Sequence, residues 1–357
     1  MRKPDTENTS PATDFPPVHP KVAWAVVLVL ALAVLSIIAA GMGYIHVSLG
    51  DVVRILLARI LKTPRWVAGI DPLFATVIID VRLPRILSAA LVGGGLAMSG
   101  VVYQGILLNP LADPYTLGVS AGAAFGAAVA LLFNLTATSM VSVPLFAFAG
   151  ALATLFLVIF LSSSAGGFSH NNLILAGIIV AAILSAGISF LKFIADEQVS
   201  VIIFWLMGSF AAKTWSDVGL LSGVVVISMA VFTYYSRDLN LMALGRRSAA
   251  SLGVNTGKVR LILLICASLV AAICVSISGI IGFVGLLVPH IMRMVIGPDN
   301  RSLVPLSMLL GAILLLAADT VTRAVLPYEV PIGVITALVG GPLFCYIFWK
   351  RQRSGGI

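Results

Sequence analysis

Asn109-Pro110-Leu111-Ala112-Asp113-Pro114 is a polar turn, broken by two prolines, between two long apolar segments that carry almost no charge. Backbone that stops so abruptly between such runs marks a polytopic membrane protein with a defined turn at the membrane face. The composition around it agrees. Of 357 residues, 60% are hydrophobic and 10% charged, and the mean hydropathy is +1.10. That leaves too little polar surface to cover a soluble globule.

A helix needs about 20 apolar residues to cross the hydrocarbon core. Working outward from the turn, ten segments qualify: 22–44, 84–108, 114–134, 141–163, 172–195, 217–236, 259–278, 280–296, 304–325 and 331–349. Only Ser278 and Gly279 punctuate 276–296, and 198–212 is a further apolar run too short to span. The runs are solid and not alternating, which argues against a β-barrel. The expected fold is therefore all-α and polytopic. It comprises a disordered tail at 1–21, a ten-helix domain at 22–350 and a short tail at 351–357. The apolar run after Lys21 is long for a signal-peptide core and lacks a clear cleavage site, so it reads as a retained first helix.

The net charge of +8 is dispersed over loops and forms no nucleic-acid patch. With both termini inside, the cytoplasmic face collects Arg2, Lys3, Lys21, Arg237, Arg246, Arg247, Lys258, Arg260, Arg301, Lys350, Arg351 and Arg353. The other face holds a competing cluster, Arg54, Arg59, Lys62, Arg65, Arg82 and Arg85, within one long loop. In that loop Val52, Val53, Leu56, Leu57, Ile60 and Leu61 recur at helical spacing opposite Asp51, Arg54, Arg59 and Lys62. This predicts an amphipathic helix on the outer membrane surface. Pro84 is placed in the first turn of the second span, where its missing N–H costs nothing.

In the third span, Gly118, Gly122 and Gly126 share one helix face and let another helix approach closely. Tight packing within the subunit is the simpler reading, and a dimer interface the alternative. Residues 237–260 are the most polar internal stretch, with an Ala-rich interior between Gly245 and Gly253. Two short helices joined at Gly245 would project as a rigid knob.

The chain offers little chemistry. Gly253-Val254-Asn255-Thr256-Gly257-Lys258 resembles a phosphate loop, but three residues separate its glycines instead of four, and Val259 stands where Ser or Thr would hold magnesium. His19, His46, His170 and His290 have no metal-ligand spacing, and Cys266, Cys274 and Cys345 read as small apolar fillers. No cofactor is expected. Asp319 and Arg323, four apart, are expected to form an internal ion pair.

Several motifs together resemble one family. They are Arg82-Leu83-Pro84-Arg85 leading into Gly93-Gly94-Gly95 and Ser99-Gly100, the Asn109–Pro114 turn followed by Leu117-Gly118-Val119-Ser120, and Gly282-Phe283-Val284-Gly285-Leu286-Leu287-Val288-Pro289-His290. Ala317-Ala318-Asp319, Glu329-Val330-Pro331-Ile332-Gly333 and Gly340-Gly341-Pro342 continue the likeness. The set resembles the FecCD family, permease subunits of binding-protein-dependent ABC importers for iron-siderophores, haem and cobalamin.

The resemblance implies a type II importer permease fold of ten helices in a bacterial or archaeal cytoplasmic membrane. It also implies a second permease subunit, two cytoplasmic ATPase subunits, and a periplasmic or extracellular substrate-binding protein. The matching positions assign binding-protein docking to Arg82, Arg85 and Arg323, and the cytoplasmic gate to Asn109, Leu111, His170 and Asn171. Coupling to the ATPase falls to Leu241, Ala243, Leu244, Gly245, Ala249, Leu252 and Gly253. At His170 and Asn171 relatives usually carry small hydroxyl residues, so the gate departs from the pattern. The cargo expected on family grounds is a ferric siderophore, with cobalamin or haem as alternatives. A secondary transporter, a membrane-embedded enzyme and a zinc or manganese importer permease are the competing readings.

Overall fold

The computed structural model describes residues 18–43, 45–67, 69–135, 142–164, 169–324 and 328–353, and among these there is no strand. The expected tails lie mostly outside this set. Residues 18–21, placed in the tail by composition, instead open the first helix, α1 (Val18–Gly41). The chain continues through α2 (Leu49–Leu61), α3 (Pro72–Ile106), α4 (Val119–Leu132), α5 (Ser142–Ser164), α6 (His170–Ile194) and the short α7 (Val199–Leu206). It then forms α8 (Trp215–Tyr234), α9 (Ser236–Met242), α10 (Arg246–Ser251), α11 (Thr256–Ser278), α12 (Val284–Ile296), α13 (Asn300–Ala324) and α14 (Ile332–Arg353). Ten of these correspond to the ten expected spans. The apolar 198–212 run folds as α7, too short to cross.

Among the described residues seven helices are long and apolar enough to cross a membrane, and α4, α12 and the apolar part of α14 are shorter. At about 1.5 Å per residue, α4 and α12 cover only about 20 Å. Irregular backbone makes up the difference, and in a membrane that is tolerated only where protein surrounds it. The two irregular stretches meet each other. Tyr115 Oη donates to the Ile281 carbonyl at 2.8 Å, and Gly285 lies against Pro114 and Leu96. The turn therefore folds back into the molecule after Leu111 and does not stay at its surface.

Helix α3 is the central pillar. From Val92 to Tyr103 every residue is buried. Small residues bring its neighbours to backbone contact: a Cβ added at Gly93 would sit 2.9 Å from the Gly311 carbonyl carbon of α13. Gly122 and Gly126 work the same way inside the chain, since a Cβ at Gly122 would meet the Gly150 carbonyl of α5 at 2.5 Å, whereas Gly118 lies outside the helix as its left-handed N-cap at φ +75°. By contrast, α1 and α6 keep Val26, Leu30, Ile179 and Phe190 on the outside.

Two local differences from expectation have physical causes. Pro84 does sit in the first turn of regular α-helix, which runs from Leu83, but α3 already starts at Pro72 and enters that turn through a π-helical segment, Val77–Arg82, in which Leu83 N–H bonds to the Ile78 carbonyl five residues back. A widened turn just before a proline relieves the clash of its ring with the carbonyl four residues earlier. The surface helix α2 forms, capped by Ser48 Oγ on Asp51 N–H. It buries Val52, Ile55 and Ala58, while Ile60 and Leu61 stay exposed. Packing on α1 selects the narrower 52–55–58 stripe over the broader expected one.

Candidate functional site

Two members of the basic cluster of the long loop, Arg82 and Arg85, have a structural explanation. Helix α1 ends with open carbonyls, and two arginines from elsewhere close them. Arg82 Nη1 donates to the Ala40 carbonyl at 2.5 Å and Nη2 donates to Ile45, while Arg323 donates to Met42 and Ala39, each at 2.7 Å. Cations at the negative end of a helix dipole are favourable as well as hydrogen-bonded. Lys213 does the same for α11, donating to the Ile277 carbonyl at 2.7 Å. Burial is the main cause that pulls the Lys213 ammonium below its ordinary range; Asp217 opposes this and Arg85 adds to it.

Arg85 takes the carboxylate that sequence spacing had given to Arg323. Its Nε and Nη2 hold Asp319, with Nη2 to Oδ1 at 2.8 Å, and Nη2 also reaches the exposed Glu329. The expected Asp319–Arg323 pair does not form, because the Arg85 fork uses both carboxylate oxygens and the α1 carbonyls claim Arg323. The three arginines named for docking thus share one face, but Arg82 is only 5% exposed. A buried guanidinium already committed to carbonyls cannot also present its fork to a partner. The rim of the cluster is Arg85 with Glu329.

On the opposite face α9 and α10 form the knob. Leu244 and Leu252 are exposed at its tip, and Gly245 and Gly253 turn with φ of +99° and +86°. Ala249 is fully buried, so it packs the knob against its own chain and corrects the expectation that it touches a partner. Leu241 is half-buried and Ala243 exposed. The knob is bonded to the body through Asn240, whose Nδ2 donates to Asp299 Oδ1 at 2.8 Å and whose Oδ1 accepts Asn300 N–H at 3.0 Å. Lys21 Nζ reaches Asp299 Oδ2 at 3.4 Å.

The Asn109 side chain accepts Leu111 N–H at 2.9 Å, which fixes the turn, and Leu111 is exposed. Asp113 continues the turn by accepting Tyr115 N–H and the Thr116 hydroxyl. His170 and Asn171 open α6, with Asn171 exposed. His170 faces the Ile106 carbonyl at the end of α3 and meets Arg260 Nη2 at 2.9 Å. Leu108, His170, Met242, Arg246, Thr256 and Arg260 enclose a void of about 20 Å³. The structure thus brings the turn, the α6 start and the knob together. Beside them a cavity of about 670 Å³ runs between Gln104, Asn109, Leu239, His290, Arg293 and Lys350.

Sequence reasoning had named neither Arg260 nor Asn240 nor Asp299 for any site. A signal existed for Arg260: a cation in the first turn of an otherwise apolar helix works against the dipole, so it needs a partner.

The model of the FecCD transport family matches residues 29–350. The chain belongs to this family. The molybdate import system permease protein of Haemophilus influenzae is 38% identical over 95% of this chain and 98% of its own length. The cobalamin import system permease protein of Halobacterium salinarum is 42% identical over 80% of this chain and 76% of its own length. A solved inward-facing structure of a metal-chelate-type ABC transporter superposes with a TM-score of 0.81 at 36% identity, over 93% of this chain and 99% of the other. This FecCD protein is accordingly a multi-span permease subunit of an ABC importer, of a family that works with ATPase and binding-protein partners.

Proposed function

We propose that this FecCD permease pairs with a second permease subunit, forms the translocation pathway between them, and is driven by two ATPase subunits bound at the knob. In this reading the knob face is cytoplasmic and the arginine face meets the binding protein. The observation that carries it is the knob, a small rigid projection bonded to a long helix and tipped by two exposed leucines, Leu244 and Leu252. Exposed apolar side chains on a polar projection suit a protein socket. Positive-inside bias supports the orientation, because Arg237, Arg246, Arg247 and Lys258 cluster there.

Asn109 and Leu111 with His170 and Asn171 serve as the inner gate, and the 670 Å³ cavity beside them is its mouth. On the other face a carboxylate of the binding protein docks by taking the place of the exposed Glu329 on Arg85, while Asp319 keeps the rest of the guanidinium and Arg82 and Arg323 hold α1 in place behind it. The cargo is a metal complex of the ferric-siderophore class, a reading supported by the metal-chelate transporter of like fold. Cobalamin is the second reading, supported by the 42% identity to a cobalamin permease.

The test is reconstitution with the ATPase and binding protein encoded beside this chain. Leu244→Asp with Leu252→Asp is expected to abolish ATP-driven uptake while the permease still inserts. Unchanged uptake per ATP would remove the knob from the mechanism, and the ligand that the binding protein carries decides the cargo.

A further inference from the structure

Helix α13 begins with N–H groups that no earlier turn can satisfy. One is closed from within, since Arg301 N–H donates to Asp299 Oδ1 at 3.1 Å. Another is closed from the knob, because Asn300 N–H donates to Asn240 Oδ1, and Asn300 Nδ2 donates to the same oxygen at 2.8 Å. Asn240 returns a bond through its own Nδ2 to Asp299. The α9 side chain is therefore part of the first turn of α13.

The far end of α13, about 30 Å away at 1.5 Å per residue, carries Asp319 and Arg323. These residues hold Arg85 of α3 and the end of α1. Helix α1 is itself tied to α13 at both ends, by Lys21 to Asp299 on the knob face and by Arg323 on the other. The knob is thus joined to a strut pinned at each face.

The structure assigns to Asn240 and Asp299 a positioning role in energy coupling: their paired hydrogen bonds fix the knob to the first turn of α13, so that a displaced knob moves α13. This rests on the reading of α9 and α10 as the ATPase contact. Neither residue touches cargo or nucleotide in this scheme. Coupling through a strut requires an element that both faces bias, and α13 is bonded at both.

The test uses the assembled transporter in proteoliposomes and reads cargo taken up per ATP hydrolysed. Asn240→Asp sets carboxylate against carboxylate and is expected to lower that ratio about tenfold, the loss of one charge-assisted hydrogen bond. The exchange Asn240→Asp with Asp299→Asn rebuilds the bond between the two side chains with donor and acceptor reversed, gives up the Arg301 N–H and Lys21 bonds to Asp299, and is expected to restore the ratio in part. Thermal midpoints of the purified permease are measured for both, because a merely structural role would change the midpoint together with the ratio. Two results would overturn the assignment: an exchange variant as uncoupled as the single one, or a fully coupled Asn240→Asp beside an uncoupled Leu244→Asp. If neither Asn240→Asp nor Leu244→Asp uncouples, the knob reading fails with it.

Discussion

The arginine face and the knob face each tie distant helices together with ions, yet they do so in different solvents. On the arginine face Arg85 and Asp319 are 12% and 1% exposed, whereas on the knob face Lys21 and Asp299 are 26% and 39% exposed. Water screens the second pair and scarcely reaches the first. The first pair consequently behaves as an all-or-none unit, in which losing one partner strands a charge. The second is adjustable, and its strength resides in the amide hydrogen bonds of Asn240, one of them to the Asp299 carboxylate, more than in the ion pair. The face that holds the end of α1 and the face proposed to pass motion are built with correspondingly different bonds.

The comparison breaks most sharply at Asp319. Asp319→Ala leaves the Arg85 guanidinium buried with only the exposed Glu329 as its partner and is expected to cost at most about 3–5 kcal/mol, read as loss of folded permease in detergent by thermal shift. Adding Arg85→Met should recover much of that loss. No recovery would mean that the face is not a paired unit.

A smaller effect is expected from Arg82→Met, which opens the Ala40 and Ile45 carbonyls. Its cost is about 1–3 kcal/mol. Hydrogen exchange of the last turn of α1 should rise while α13 stays protected.

The smallest effect belongs to Asp299. Burial alone would raise its carboxyl, but Asn240, the Arg301 N–H and Lys21 outweigh burial and hold it below the ordinary 3.8. A carboxyl lowered by folding contributes stability that is present above its unfolded value and lost as pH falls through the folded one. Lys21→Met is therefore expected to cost at most about 1 kcal/mol near neutral pH. The difference should fade in acid as pH falls through the lowered carboxyl value, or in high salt. A wild-type midpoint that stays constant through that acid range would show that the knob face owes nothing to this charge.

Much of this was legible in the chain. The ten spans, the turn at Asn109 and the knob between Gly245 and Gly253 all follow from where apolar runs stop, because hydropathy reports the solvent of each segment. It does not report partners. Asp319 and Arg323 satisfied the helical spacing for an ion pair, but spacing cannot reveal that Arg85 of another helix offers a better fork. Arg82 looked like a surface charge because it closes a long basic loop beside Asp80, Pro84 and Arg85, and only tertiary structure supplies the Ala40 and Ile45 carbonyls that it meets. The π-helical segment before Pro84 escaped notice because β-branched residues there suited extended backbone as well as helix. Ala249 lay in the right element but faces inward, a distinction that a six-residue helix is too short to encode by periodicity.

The double attachment of α1 also has a consequence for biogenesis. This helix leaves the ribosome before its partners, since Asp299 lies 278 residues downstream of Lys21 and Arg323 lies 281 residues beyond Met42. At translation rates of about 5–20 residues per second, those partners arrive roughly 15–60 s later. In that interval only Arg82, about 40 residues on, can close its end. The helix must therefore remain in the bilayer largely on its own hydrophobicity. It has the highest mean hydropathy of the seven long spans and the smallest buried share, as expected of a segment that has to wait in lipid for the rest of its protein.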